Sequence, residues 1–446
     1  MTTEYRERSV DDLKERISGV LTLAKELGAS QAEASASFGT GLAVTVRMRS
    51  VEILEYHRDQ GLGVTVYFGH RKGSASTSDL GPEAIAESVR KACTLARYTA
   101  EDPCAGLADP ERLARQIPAL DLWHPWDLEA GAAIDLATRC EAAALDSDSR
   151  ITNSEGASVS SHAGCRVYGN SLGFLDGYRD TQHSLSCAVL ANQGEQMERD
   201  FEYTQARDSG ELKSAVSVGR EAARRAVTRL GAVKVDTRTA PVLYPARLAR
   251  GLIGHLAGAI SGGALYRKST FLLDSLGTKV LADCVTIDEL PHIPKGIASA
   301  PYDDEGVATA SRRLVDAGVL QGYVLGSYSA RKLGMSTTGN AGGIHNLVVA
   351  ETGQSFADLL SAMDTGFLVT ELMGSGINPV TGDYSRGATG FWVERGEITF
   401  PVSEVTIAGN LKTMYQGILA IGNDLDIRGG IRTGSVLVRE MTIAGN

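Results

Sequence analysis

Apolar residues recur at spacings of three and four near the start of the chain: Val10, Leu13, Ile17, Val20, Leu21, Ala24 and Leu27. That period puts them on one face of an α-helix. Ser9 stands at the N-cap, Asp12 at the capping-box position and Gly28 past the end, so a helix is predicted over 9–27. The period then falls to two. Val44, Val46 and Met48 alternate with Thr45, Arg47 and Arg49, as a half-exposed strand requires. The pattern predicts four strand pieces, 32–38, 42–49, 50–58 and 61–68. Gly81-Pro82 opens a second helix, with proline in its first turn and Ala84, Ile85, Val89, Ala92 and Ala96 on its buried side.

Pro103, Pro110, Pro118 and Pro125 crowd the stretch 99–126, which reads as a linker. A helix at 127–145, short strands and Gly/Asn/Asp turns over 151–191, and a long helix at 209–230 follow. This repeats the helix–strands–helix order of the first unit and suggests an internal structural duplication with little sequence match. The polar stretch 233–239 leads into a buried-type strand at 240–244. Beyond it, helices are predicted at 246–259 and 355–363, among short strands and glycine turns. Domains are therefore expected at 1–110, 111–232 and 233–446. The fold class is α+β: two helix–strands–helix units, then a glycine-rich, mostly antiparallel β domain.

Composition narrows the function. The 446 residues hold 44 Lys+Arg against 54 Asp+Glu, a formal net charge of -10. That balance excludes the basic surface a nucleic-acid binder needs. No run approaches the roughly 18 apolar residues of a membrane-spanning helix. Met1–Arg8 is polar and leads into no apolar segment, so no secretory signal is expected and the chain is read as cytoplasmic. Glycine is abundant, 50 residues against 12 prolines and 6% aromatics. Eighteen of the glycines fall between residues 337 and 446. Such density implies tight turns and close backbone approaches, as around a groove.

The candidate chemistry is sparse. The eight histidines never come closer than 13 positions, so none forms an i, i+4 ligand pair on a helix. No C-x-x-C occurs among the six cysteines, and none follows Cys284. His162-Ala-Gly-Cys165 is the one tight His/Cys pair and falls short of a metal site. Gly169-Asn170-Ser171-Leu172-Gly173 matches G-x-S-x-G, but Phe174-Leu175-Asp176-Gly177 after it cannot start a helix, so a hairpin turn is expected. Asp303-Asp304-Glu305-Gly306 offers three acids, which read as a solvated turn rather than a metal site.

Several longer segments share a pattern with a known family. These are Asp303-Asp304-Glu305-Gly306, Ser329-Ala330-Arg331-Lys332-Leu333-Gly334, Thr338-Gly339-Asn340, Gly376-Ile377-Asn378-Pro379-Val380-Thr381-Gly382-Asp383-Tyr384-Ser385 and Met441-Thr442-Ile443-Ala444-Gly445-Asn446. In that order they resemble the TldD/PmbA family, the modulators of DNA gyrase. The family has a zinc metallopeptidase branch, TldD, with an H-E-x-x-x-H helix and a later cysteine ligand. The PmbA branch, also called TldE, is its heterodimer partner.

By resemblance, the metal helix falls just before Tyr266-Arg267-Lys268-Ser269-Thr270. There this chain reads Gly254-His255-Leu256-Ala257-Gly258-Ala259, with one histidine and no glutamate. A catalytic zinc takes three protein ligands, so the resemblance is to PmbA. It implies no catalytic residue and no metal on this chain, with zinc on a TldD-like partner. It also implies unfolded or extended peptide substrates, such as peptide-antibiotic precursors and antitoxins, and a homodimer when the chain is alone. His345, Asn378, Tyr384 and Arg386 are candidates for the wall of a peptide groove. Two rival readings remain: a non-proteolytic regulator or homodimeric scaffold, and an autonomous hydrolase using Ser171 or the acids at 303–305.

Overall fold

The computed structural model describes residues 9–445. The polar segment Met1–Arg8 and Asn446 lie outside the described residues.

Helix α1 (Val10–Glu26) leads into strand β1 (Gln31–Arg47), β2 (Ser50–Phe68) and β3 (Arg71–Thr77), and α2 (Pro82–Tyr98) closes the unit. The second unit runs α3 (Ala130–Leu145), β4 (Ile151–Asn170), β5 (Leu175–Gln193), β6 (Gln196–Ala206) and α4 (Ala215–Thr228). The four strand pieces expected over 32–68 are two long strands. Gly39 and Gly41 fall in the gap between two of those pieces, yet each keeps its place in the antiparallel ladder. The helix expected from 209 starts at Ala215, where the Ser214 hydroxyl accepts from the Ser217 N–H at 3.2 Å.

The two units share one antiparallel sheet of order β3-β2-β1-β4-β5-β6. The β1–β4 pairing joins them, from Glu33 opposite Asn170 to Val46 opposite Ala157. Even-numbered residues of β1 all face the helices. Ala32, Ala34, Ala36 and Phe38 pack with α1 and α2. Leu42, Val44 and Val46 pack with Ala133, Ala137, Ala222 and Ala226 of α3 and α4. Alanine at these helix positions lets the helix axes approach the sheet closely. The other face of the sheet carries Ser35, Ser37 and Gly39, which line a cleft.

The proline-rich stretch 99–126 contains no strand and one 3-10 turn, Pro110–Arg112. It is nonetheless a strap rather than a free linker. Leu107, Leu113, Leu120 and Leu122 are buried. The Arg331 guanidinium donates to the carbonyls of Cys104, Gly106 and Leu107.

The remaining chain starts with β7 (Arg238–Tyr244), α5 (Ala246–Ala259) and α6 (Gly262–Tyr266). Then come β8 (Ile287–Glu289), β9 (Arg312–Asp316), β10 (Val319–Leu320), α7 (Ser327–Lys332) and β11 (Leu347–Val349). Helix α8 (Phe356–Met363), β12 (Gly366–Met373), β13 (Asp383–Glu394), β14 (Glu397–Asn410) and α9 (Leu411–Gln416) follow, then β15 (Ile418–Ile421), β16 (Ile431–Arg432) and β17 (Val436–Ala444). Strands β14, β13, β12, β7 and β17 pair in succession, and β17 pairs back onto β14, which closes a barrel. A five-stranded sheet of order β10-β9-β8-β11-β16 stands beside it. The fold is α+β and mostly antiparallel. Val405–Asn410 falls on β14, and the similar segment that starts at Met441 runs to Ala444 on β17, the strand that pairs back to seal the barrel.

Glycine has two separate uses here. In the barrel it permits backbone contact: a Cβ on Gly390 would overlap the Leu368 carbonyl oxygen of the neighbouring strand. On the sheet of the first two units, Gly39, Gly61, Gly63 and Gly164 floor a cleft of about 890 Å³.

Candidate functional site

Helix α5 buries Ala249, Leu252, Ile253 and Leu256 against the barrel. Its other face carries Gly251, Gly254, His255 and Gly258. No atom lies within 4 Å of where a Cβ would stand on Gly251 or Gly258. His255 shares this face with Arg247, which lies one turn before Gly251.

Its imidazole meets the ring of Tyr384 edge to face, with centroids 6.3 Å apart and planes at 69°. Tyr384 and Arg386 lie two apart on β13 and so share a face. Burial lowers the pKa of His255, and the Arg386 cation lowers it further, so the imidazole is neutral near pH 7. Burial raises the pKa of Tyr384, opposed by hydrogen bonding with Tyr244 and the charge of Arg386. The Tyr244 hydroxyl also meets the Met441 sulfur at 3.2 Å inside the barrel. Arg386 donates from Nη2 to the Leu372 carbonyl at 3.3 Å, and its Nε is buried with no hydrogen-bond partner among the described residues.

Three of the residues picked from the sequence thus meet: His255, Tyr384 and Arg386. The other two lie apart from them. Asn378 is exposed and organises a turn, its Oδ1 accepting from the N–H of Val380 at 2.9 Å. His345 is buried, with Nε2 3.0 Å from the Gly339 carbonyl and its backbone N–H donating to Glu289 Oε1 at 2.8 Å. Glu289 also pairs with Arg312 at 2.7 Å and accepts from Asn340 at 2.7 Å. That network holds the Thr338-Gly339-Asn340 loop.

Of the acids at 303–305 only Asp304 is exposed, so the run is not the solvated turn expected. Asp303 is buried and accepts from the N–H groups of Glu305, Val307 and Ala341, each at 2.9 Å. Burial pushes its pKa up to about 7. Asp304 is exposed and lines the sheet cleft with Tyr168, Tyr178 and Tyr302. Glu305 accepts from the Ser327 N–H at 2.9 Å. Ser171 sits in the β4–β5 hairpin turn, where its Oγ accepts from the Ala32 N–H at 3.0 Å, and no helix follows it.

The sequence reading missed an ionic joint between the second unit and the barrel. Glu202, buried on β6, pairs with Arg225 and with Arg428 at 2.8 Å. Arg229 bridges Asp200 at 3.4 Å and Glu371 at 2.6 Å. Arg207, also buried, donates to the carbonyls of Gly296 and Ile297. A charged residue at an inward-facing strand position, as Glu202 is, was the available signal.

Three family profiles cover the described chain. The PmbA/TldA metallopeptidase domain 1 matches residues 32–96, the central domain 123–230 and the C-terminal domain 237–445. The curated Metalloprotease PmbA of Escherichia coli O157:H7 is 53% identical over 97% of this chain and 96% of its own length. This chain belongs to the PmbA/TldD metallopeptidase family. A crystal structure from Bacteroides thetaiotaomicron, described as a modulator of DNA gyrase, superposes with a TM-score of 0.93. It shares 28% identity and covers 98% of this chain and 99% of its own. TldE from Thermococcus kodakarensis has the same fold, with a TM-score of 0.85, 20% identity, and coverage of 96% of this chain and 100% of its own.

Helix α5 is followed directly by α6, which ends at Tyr266. Among the described residues no group of three or more His, Cys, Asp or Glu side chains is placed to hold a metal ion. No helix of the described residues is long and apolar enough to cross a membrane.

Proposed function

We propose that this chain is the TldE-like subunit of a heterodimeric metallopeptidase, with the zinc on a TldD-like partner. The observation that carries this reading is the environment of His255. A hydrolytic zinc needs about three protein ligands and an open position for water. Here one imidazole stands with no carboxylate or thiolate beside it. The Arg386 cation is close enough to depress the His255 pKa, and it repels a dication. These residues do not fit zinc, so no step of hydrolysis is assigned to this chain.

What the chain offers instead is surface. The bare face of α5 at Gly251 and Gly258 allows another backbone to come close. Half-buried His255 and Arg386 add hydrogen-bonding groups at its side, and buried Tyr384 supports them from the barrel. Asn378 holds the turn that precedes Tyr384 on the same hairpin. This suits an unfolded or extended peptide, held with little sequence demand while the partner cuts it. Peptide-antibiotic precursors and antitoxins are the substrate classes in view.

The test is a peptidase assay on an unfolded polypeptide. This chain alone is expected to leave it intact, and the mixture with a TldD-like protein is expected to cut it and to be stopped by EDTA. Cleavage by this chain alone, abolished by EDTA, would sink the reading.

A further inference from the structure

The ionic joint between the second unit and the barrel borders a cleft of about 580 Å³. It is lined by α4, by the first turn of α5, by β12, β13 and β14, and by the loop 424–428. A recess of this size where two units meet suits a small molecule.

The lining is of two kinds. Phe356, Leu368, Phe391, Ile398, Leu425 and Ile427 are apolar. Ile398, Leu425 and Ile427 are each between 44% and 56% exposed, so this surface is wet in the chain alone. Lys213, Arg224, Arg225, Arg229, Arg247 and Arg428 are cations.

Three carboxylates share the cleft, and each is engaged. Asp424 accepts from the N–H of Ser435 at 2.8 Å and from its hydroxyl at 2.6 Å. Asp426 pairs with Arg428 at 2.6 Å. Asp200 is divided between Arg229 and Arg247, both at 3.4 Å. The other acids of the joint, Glu198, Glu202, Glu221 and Glu371, pair with these cations but do not line the cleft. The lining therefore carries six positive groups against three negative, in a chain of net charge -10. Burial lowers the pKa of Arg247 in spite of Asp200 beside it, so a further anion there is stabilising.

We infer that this cleft binds a small organic anion with an apolar body, a medium-chain carboxylate or a phosphate ester of similar shape. Arg224 and Arg247 supply the head-group donors. Each guanidinium has five N–H groups and makes two hydrogen bonds here, Arg224 to Glu221 and Arg247 to Asp200 and the Thr370 carbonyl. The apolar body covers Ile398, Leu425 and Ile427 and takes them out of water. The ligand touches both the second unit and the barrel, so it binds the folded chain and stabilises it.

Calorimetric titration of the full chain with decanoate, below its micelle concentration, tests the site. Saturable binding is expected, with a rise in melting temperature, and decylammonium is expected not to bind. The double variant Ile398→Asp, Ile427→Asp is expected to weaken decanoate about 10-fold or more, because apolar cover is lost and like charge is added. Both side chains are exposed, so the melting temperature without ligand should hold. Arg224→Gln, at an exposed position, should weaken binding about 5-fold. No saturable binding, equal binding of decylammonium, or unchanged affinity in the double variant would overturn the proposal. Binding to phosphatidylglycerol vesicles in place of decanoate would assign the cleft to a membrane surface and overturn it too. None of these outcomes bears on which subunit holds the zinc, so the proposed function stands or falls separately.

Discussion

The ring of His255 on α5 rests edge to face against the ring of Tyr384 on β13, 6.3 Å between centroids. The contact ties the bare helix to the closed barrel, and it fixes how the imidazole responds to acid. Both burial and the Arg386 cation oppose protonation, so the folded pKa lies below the ordinary value near 6.5. Below pH 6.5 the unfolded chain takes up a proton that the folded chain refuses, and stability falls as pH falls. Replacing His255 by Gln removes that term. Chemical denaturation from pH 7 to 5 should show a shallower loss of stability in the variant than in the wild type.

The glycines of α5 separate stability from function. A Cβ on Gly258 meets nothing within 4 Å, and Gly258 lies inside a helix. Gly258→Ala should therefore stabilise the protein by about 0.5–1 kcal/mol. If the bare face receives a peptide or partner backbone, the same change should weaken peptidase activity of the assembled complex several-fold. A thermal melt and a reconstituted assay read the two effects separately.

Asp303 and Asp304 are adjacent and should behave oppositely. Asp303→Ala leaves three N–H groups without this acceptor, one buried and two partly buried, and the cost is expected to be about 2–4 kcal/mol. Asp304→Ala, at an exposed position, should stay within about 0.5 kcal/mol. Urea denaturation of the two variants measures this. Equal, small effects would contradict the structural role of Asp303.

The ionic joint predicts a third asymmetry. Glu202 is buried among Arg225, Arg428 and Lys213, so removing its charge takes a shared anion from three cations. Glu202→Ala should cost about 3 kcal/mol or more. Glu155→Ala breaks an exposed pair with Arg199 at 2.8 Å and should cost under about 1 kcal/mol.

Local pattern showed the helices plainly. The three-and-four spacing of Leu13, Ile17, Val20 and Ala24 marks α1 to within a residue, because one helical face is buried and the other wet. Strand lengths were hidden because glycine reads as a break, whereas Gly39 and Gly41 sit inside β1 to make room for the rings of His162 and His57. The meeting of His255, Tyr384 and Arg386 spans more than 120 residues and depends on barrel closure, which no local signal carries. The burial of Asp303 was hidden for the same reason: its three N–H donors come partly from Ala341, on a distant loop. His345 and Asn378 drew notice as polar residues near glycines. Their bonds show what the pattern could not, that one anchors a buried loop and the other shapes a turn.

The most direct test of the central claim is zinc per chain. A complex of this protein with a TldD-like subunit would be purified, the chains separated without chelator, and metal counted on each. The account predicts close to one zinc on the partner and none on this chain, with His255→Ala leaving the zinc content of the complex unchanged. Stoichiometric zinc on this chain alone, lost in His255→Ala, would contradict it.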